Sequence, residues 1–176
     1  TRDGLEAYYS LDGDVPTNAL TGTNATVVGD PVPGVAGVVN DGWVFSMDGS
    51  QDDTADALVS GSALPINGGE ATVTGWFRYD DHEEFARIWQ AGGGTGTPAQ
   101  NDDGERIGWE LTFDGSSDDV RLFHDESTGA SLTLTPNTWY YVAAVVDGET
   151  ARLHAFDHDG ELDGSPATGS APRTRT

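Results

Sequence analysis

The chain has no cysteine and no lysine, and these two absences narrow the classes of protein to which it can belong. Without cysteine there is no disulfide framework, no thiolate metal site and no cysteine nucleophile. The longest aliphatic run, residues 142–146, is far shorter than the about 20 residues that a membrane-spanning helix needs. No basic and apolar leader opens the sequence. We therefore expect no membrane insertion, and any signal peptide would lie outside this numbering.

Positive charge is the next deficit, because 8 Arg stand against 30 Asp and Glu residues and leave a formal net charge of −22. Nucleic acids and heparin-like polymers bind through Lys and Arg, so we expect no nucleic-acid partner. Self-repulsion weakens such a fold in dilute buffer, whereas 1 M salt shortens the screening length to about 3 Å. The composition is typical of a protein adapted to high salt. Disorder is the competing interpretation, and 5 Trp with 5 Tyr favour a folded chain.

Alternation of apolar and polar residues is what the sequence has in abundance. No window of eleven or more residues carries a helical stripe, and the alternation predicts an all-β chain of about eleven strands. The first predicted strand is residues 5–11, and the strongest are 70–79 and 139–146. Because 139–146 is apolar on both parities, we expect it at the centre of a sandwich. We expect one domain over residues 1–163, with 164–176 as a polar tail or the start of a missing final strand.

Four segments carry a family resemblance: residues 3–13, 44–49, 71–77 and 137–143. In order and spacing they resemble the laminin G-like domains, over residues 3–162. The resemblance implies an antiparallel jelly-roll β-sandwich of the concanavalin A-like type, used mostly for glycan or protein binding and adhesion, with calcium at the rim in some relatives. The family's closing strand pair has no counterpart here. We therefore expect a final edge that is either missing from the chain or supplied by a partner.

Two Trp-Arg pairs are the candidate ligand-binding residues, namely Trp76 with Arg78 and Arg87 with Trp89. An aromatic ring stacks on the apolar face of a pyranose, and a guanidinium donates to hydroxyl oxygens, so these residue types suit a sugar. Spacing of two residues predicts that each pair shares one face of its strand. The alternative interpretation is that both Trp fill the core and both Arg pair with the surrounding acids.

Calcium is the one cofactor for which the sequence offers ligands. Asp157, Asp159 and Asp163 stand around a glycine, and Ca²⁺ takes several hard oxygen ligands from a loop. A solvated acidic turn is the alternative, because Asp is abundant throughout the chain. For glycan hydrolysis the nearest approach to a carboxylate pair is Glu110 with Asp114, but a solvated strand face in an acid-rich chain explains these two residues better. We expect no catalytic residues.

These observations predict a non-enzymatic recognition or adhesion module that binds a cell-surface glycan or glycoprotein. We expect it to belong to a larger extracellular or virion protein, at the cell surface or virion surface of a halophile. The alternative is a structural or assembly domain of a virion, pilus or envelope, which pairs with other subunits by strand addition. A glycan hydrolase is the least favoured class.

Overall fold

The computed structural model describes residues 4–46, 56–60, 70–82, 86–91, 109–124, 127–147, 150–158 and 167–172. Every regular element among these residues is a strand, so the prediction of an all-β fold is confirmed. Nothing in the described ranges forms a helix long and apolar enough to cross a membrane. The strands are β1 (Thr26–Val28), β2 (Val32–Ala36), β3 (Asp41–Val44), β4 (Ala57–Val59), β5 (Glu70–Phe77), β6 (Arg87–Ala91), β7 (Trp109–Phe113), β8 (Asp119–His124), β9 (Ser127–Thr133), β10 (Tyr140–Asp147), β11 (Thr150–Asp157) and β12 (Ala167–Pro172).

Residues 1–65 form one compact unit, in which β1 pairs with β4 and β2 pairs with β3, both antiparallel. A single carboxylate ties its loops together. The Asp56 Oδ1 atom accepts a hydrogen bond from the Asp30 N–H at 2.8 Å, and Oδ2 accepts one from the Ser46 N–H at 2.7 Å. Gly29 has a φ of +72°, and a Cβ there would collide with the Asp56 carboxylate. Only glycine fits this close approach without strain.

The predicted first strand, residues 5–11, is not a strand in the structure. Tyr9 makes an isolated bridge with Asn18, and Leu11 has a φ of 58°, which interrupts extended backbone. The buried Asn18 side chain accepts a hydrogen bond from the Tyr8 N–H at 3.3 Å. A side chain and one bridge therefore hold this segment in place of a ladder, and alternation by itself overpredicted a strand.

Residues 66–176 form the second unit, whose strands make two four-stranded antiparallel sheets. Sheet I has the strand order β12-β11-β10-β5, and sheet II has the order β6-β7-β8-β9. Phe77 on β5 and Phe113 on β7 have ring centroids 6.1 Å apart, so the two sheets share one apolar interior. β10 lies between β11 and β5, which is the central place predicted for it. Two packed antiparallel sheets confirm the predicted β-sandwich.

Alternation decides which side chains enter this core. On β10 and β11 every second residue is buried: Tyr140, Val142, Ala144, Val146, Ala151, Leu153 and Ala155. The intervening residues of β10 are half-buried on the opposite face. β7 is buried at all five positions, so both of its faces are covered. Burial of this apolar surface supplies most of the folding free energy, at about 25 cal/mol per Å².

A polar cluster closes the core where β5 ends. The buried Tyr79 donates its hydroxyl proton to Asp118 Oδ1 at 2.9 Å. The His82 Nε2 atom lies 3.6 Å from the same oxygen, and the His82 ring stacks on Phe113 with centroids 3.9 Å apart. Burial raises the pKa of Tyr79, and the hydrogen bond to Asp118 and its charge raise it further. The neutral hydroxyl is therefore the form that folding favours.

β12 lies at one edge of sheet I and pairs with β11 from Thr150 opposite Pro172 to Ala155 opposite Ala167. Its residues belong to the segment 164–176, for which the sequence left a tail and a final strand as alternatives. The strand contains small and polar residues, which carry no periodic signal. The domain boundary expected after residue 163 stays a prediction.

Candidate functional site

A row of aromatic side chains crosses the outward face of sheet I. Trp76 on β5 lies opposite Tyr141 on β10, and Tyr141 lies opposite Phe156 on β11. Because the neighbouring Tyr140 and Val142 are buried in the core, the row points away from it. Adjacent strands lie about 4.8 Å apart, so the three rings span roughly 10 Å. A short run of adjoining sugar rings would fit along such a row.

Trp76 is the most exposed ring of the row, at 38% of its surface, and its neighbours hold it in position. Its ring centroid lies 5.4 Å from that of Tyr141 and 5.5 Å from that of His158, and both contacts are edge-to-face. The His158 backbone N–H donates to the Trp139 carbonyl oxygen at 2.9 Å, which fixes His158 in turn. A plate that is already fixed loses little conformational entropy when a ligand binds.

The face becomes flatter beside the aromatic row. The next row of side chains is Thr74, Ala143 and His154, and the row after it is Thr72, Val145 and Arg152. Arg152 lies 3.8 Å from Asp147, near the β10–β11 turn. Thr74 and Ala143 rise less from the sheet than the Trp76 ring does. The Trp76 ring therefore projects further from the sheet than the side chains of the neighbouring row.

Arg78 follows β5 and lies on the same side of the chain as Trp76. The Phe77 and Tyr79 rings stack at 5.8 Å with an interplanar angle of 16°, so both lie on the inner side. The exposed Arg78 between them therefore points outward. The other Arg side chains that the structure describes each lie against a carboxylate, namely Arg87, Arg121 and Arg152. Arg78 has no ion-pair partner among the described residues.

The second predicted pair, Arg87 with Trp89, does not share a face. In the pairing of β6 with β7, Arg87 lies opposite Thr112 whereas Trp89 lies opposite Leu111, because a β-bulge separates them. Thr112 and Leu111 are consecutive and point to opposite faces, so the two predicted partners do too. Trp89 faces the core, where its ring centroid lies 6.1 Å from that of Trp109.

Arg87 lies on the other face of sheet II, beside a buried acid. Its Nε atom is 3.1 Å from Glu110 Oε1, although the Nε–H is not aligned for a hydrogen bond with any described acceptor. Glu110 is 7% exposed, so the solvated strand face that the sequence suggested is wrong for this residue. Asp114, its predicted companion, pairs with Arg121. Each of the two carboxylates that the sequence offered for glycan hydrolysis, Glu110 and Asp114, therefore lies against an Arg side chain.

The two Trp residues of the predicted site, Trp76 and Trp89, lie in different sheets. Trp76 belongs to sheet I and Trp89 to sheet II, and they face outward and inward respectively. Of the four predicted ligand-binding residues, only Trp76 and Arg78 lie together on one outward face. The binding role of all four stays a prediction.

The predicted calcium ligands are described only in part. Asp157 ends β11, while Asp159 and Asp163 lie outside the described residues. No group of three His, Asp or Glu side chains in the described ranges could hold a metal ion. The calcium site therefore stays a prediction.

Sequence reasoning missed Tyr141, Phe156 and His158 as members of the site. The Asp147-Gly148 turn signal predicts the β10–β11 hairpin, and counting back from Asp147 opposite Thr150 places Tyr141 opposite Phe156. The pairing of β5 with β10 joins strands that are distant in the sequence, and no local signal sets that register. The contact between Trp76 and the other rings could therefore not be predicted.

Comparison with known proteins agrees with this architecture. The model of a laminin G-like family, described as the concanavalin A-like lectin/glucanases superfamily, matches residues 36–176. This chain belongs to that family. No curated protein and no solved structure matches it. The match to the family model confirms the family resemblance that was predicted from the sequence segments. The laminin G-like domains are carbohydrate- or protein-binding modules and are typically non-enzymatic.

Proposed function

We propose that this laminin G-like chain is a non-enzymatic recognition domain that binds a cell-surface glycan through the outward aromatic row of sheet I. The single observation that carries the proposal is the state of Trp76, a residue that is 38% exposed although its ring packs against Tyr141 and His158. Large apolar rings are normally buried in a soluble protein, and an exposed, fixed ring is typical of a surface that binds a ligand. Flat aromatic rings suit the apolar faces of sugars.

The surroundings of the ring support a sugar as the ligand. Thr72 and Thr74 lie on the same face and carry hydroxyl groups beside the aromatic row. Saccharides carry many hydroxyls, so they need such donors and acceptors next to an apolar plate. We further propose that the domain works outside the cell, as part of a larger adhesive or virion protein in high salt, as the acid-rich composition suggests.

Binding to a glycan array in 2 M potassium chloride tests this function. The wild-type chain is expected to bind a subset of the sugars, and Trp76→Ala is expected to weaken binding of the best sugar about 10- to 100-fold in a calorimetric titration, because about 1–3 kcal/mol of stacking is lost. Circular dichroism and urea unfolding establish that the variant is folded.

Tyr8→Ala is the matched control, because Tyr8 is an exposed aromatic residue at 54% that lies in the other unit of the chain. It is expected to leave the affinity unchanged. If Trp76→Ala lowers the free energy of unfolding and leaves the affinity as it was, Trp76 is structural and the proposed site is wrong.

A second candidate function, assembly with another protein chain, is favoured by a different observation. Among the residues that the structure describes, nine of the ten large apolar residues that are exposed belong to residues 1–65: Leu5, Tyr8, Val15, Val27, Val32, Val35, Val39, Val44 and Val59. Val32 and Val44 lie opposite each other in the pairing of β2 with β3, and adjoining exposed apolar residues are typical of a protein interface. A stable multimer in light scattering after size exclusion, together with no bound sugar, would establish this function in place of glycan binding.

A further inference from the structure

We infer that the glycan bound at Trp76 is acidic, and that Arg78 binds a carboxylate on the sugar next to the stacked ring. The inference rests on the proposed glycan-binding function and names the chemical class of its ligand. The carrying observation is that Arg78, in a chain with 30 acids, is exposed and has no ion-pair partner among the described residues.

The positions of Trp76 and Arg78 suit one sugar with one charge. Two residues of extended chain separate their Cα atoms by about 7 Å. The stacked Phe77 and Tyr79 rings place Arg78 on the outward side, where Trp76 lies. A hexuronate that stacks on the Trp76 ring would project its carboxylate within reach of a long Arg side chain. A guanidinium binds a carboxylate through two parallel N–H···O bonds, which a neutral hydroxyl cannot match.

The acids closest to Arg78 in the sequence are directed elsewhere. The Asp80 Oδ1 atom accepts a hydrogen bond from the Asp81 N–H at 2.9 Å, and the Asp81 Oδ1 atom accepts one from the His82 N–H at 2.9 Å. Both carboxylates thus cap backbone groups and form no ion pair with Arg78. As far as the described residues go, the Arg78 guanidinium is therefore open to a ligand.

Net charge does not prevent a short acidic sugar from binding. Repulsion from acids elsewhere on the chain acts over distances that 1 M salt screens to about 3 Å, whereas a direct guanidinium–carboxylate contact lies within that length. A long polyanion would meet many of the 30 acids, so the composition still disfavours heparin-like polymers. The expected ligand is an acidic oligosaccharide of a few rings.

Pairs of probes that differ only in the charge of the sugar separate the contribution of Arg78 from that of stacking on Trp76. Calorimetric titrations in 2 M potassium chloride would use tetragalacturonate and tetramannuronate, each against its full methyl ester, beside the best neutral sugar from the array. The wild-type chain is expected to bind at least one free acid about 10-fold or more tightly than its ester, as a charge-assisted bond predicts. Arg78→Gln is expected to lower binding of the acid to that of the ester and to leave the ester unchanged.

Arg152→Gln is the matched control on the same face, because Arg152 already lies against Asp147. It is expected to keep the preference for the acid. Three outcomes would overturn the inference that the ligand is acidic and leave the glycan-binding function standing. These are equal binding of the acid and its ester, binding of neutral sugars when neither acid binds, and an Arg78→Gln variant that keeps the preference for the acid. Absence of any glycan binding would overturn that function itself.

Discussion

The buried Tyr79 makes the stability of the chain depend on pH in the alkaline range. Its hydroxyl is buried and donates to Asp118, and burial together with this partner raises its pKa well above the usual value of about 10. Because the pKa is higher in the folded state, the neutral Tyr79 contributes its full stability below about pH 10. That contribution is lost as the pH rises toward the folded-state pKa, by about 1.4 kcal/mol per pH unit.

We therefore predict a steep loss of stability above pH 10 that depends on Tyr79. Urea unfolding between pH 8 and pH 12 is expected to show a weaker pH dependence in Tyr79→Phe than in the wild-type chain. Tyr8→Phe serves as the control, because Tyr8 is exposed, and its profile is expected to follow the wild type. Parallel profiles for Tyr79→Phe and the wild type would contradict the prediction.

Gly29 has no Cβ, and this allows the Asp56 carboxylate to approach its backbone closely. Asp56 receives the N–H groups of Asp30 and Ser46, and it approaches Gly29 so closely that no Cβ fits there. Gly29→Ala is predicted to lower the free energy of unfolding by about 2–4 kcal/mol, from the left-handed backbone and the collision together. Urea unfolding measures this loss.

Gly22→Ala separates the two causes of that loss. Gly22 has a φ of +73°, close to that of Gly29, and a Cβ there meets nothing within 4 Å. We expect this control to lose only about 1–2 kcal/mol, the cost of the backbone conformation. Equal losses in both variants would mean that the Asp56 carboxylate moves aside freely.

Among the strands, alternation predicted those that bury one face and missed those without it. β5 was predicted to within a few residues because its apolar side chains recur at every second position, and β10 because its run of apolar residues occupies both faces. β2 was missed because Pro33 and Gly34, which usually mark turns, lie inside it. For β12 the sequence left a polar tail and a final strand as alternatives, because its residues are small and polar and carry no periodic signal.

The candidate site was predictable only where a strand runs without interruption. Trp76 and Arg78 share a face as their spacing predicts, because alternation continues through Tyr79. Arg87 and Trp89 have the same spacing and face opposite ways, because a bulge adds one residue between them. Bulges and the pairing of distant strands depend on tertiary contacts, so the sequence alone does not reveal them.

For the entire chain, charge governs the response to solvent. A net charge of −22 opposes compaction, and the screening length falls from about 10 Å at 0.1 M salt to about 3 Å at 1 M. We predict that potassium chloride raises the thermal midpoint at pH 7 by several degrees between these concentrations, which corresponds to about 1–3 kcal/mol of stability. Differential scanning calorimetry measures the midpoint.

The same salt step near pH 4.1 is the control, because this is the isoelectric point of the sequence and the net charge vanishes there. Little change in the midpoint is expected at that pH. A salt effect of equal size at both pH values would attribute the stabilisation to general salting-out rather than to the acids.

The β-bulge in β6 also bears on how this strand can change length. Arg87 lies opposite Thr112 and Trp89 lies opposite Leu111, so Ile88 is the additional residue between two regular pairings. A chain without Ile88 would run in continuous register and keep Arg87 and Trp89 on the sides where they now lie. Loss of Ile88 would therefore not turn the rest of the strand over, so this position of β6 is expected to tolerate a one-residue deletion.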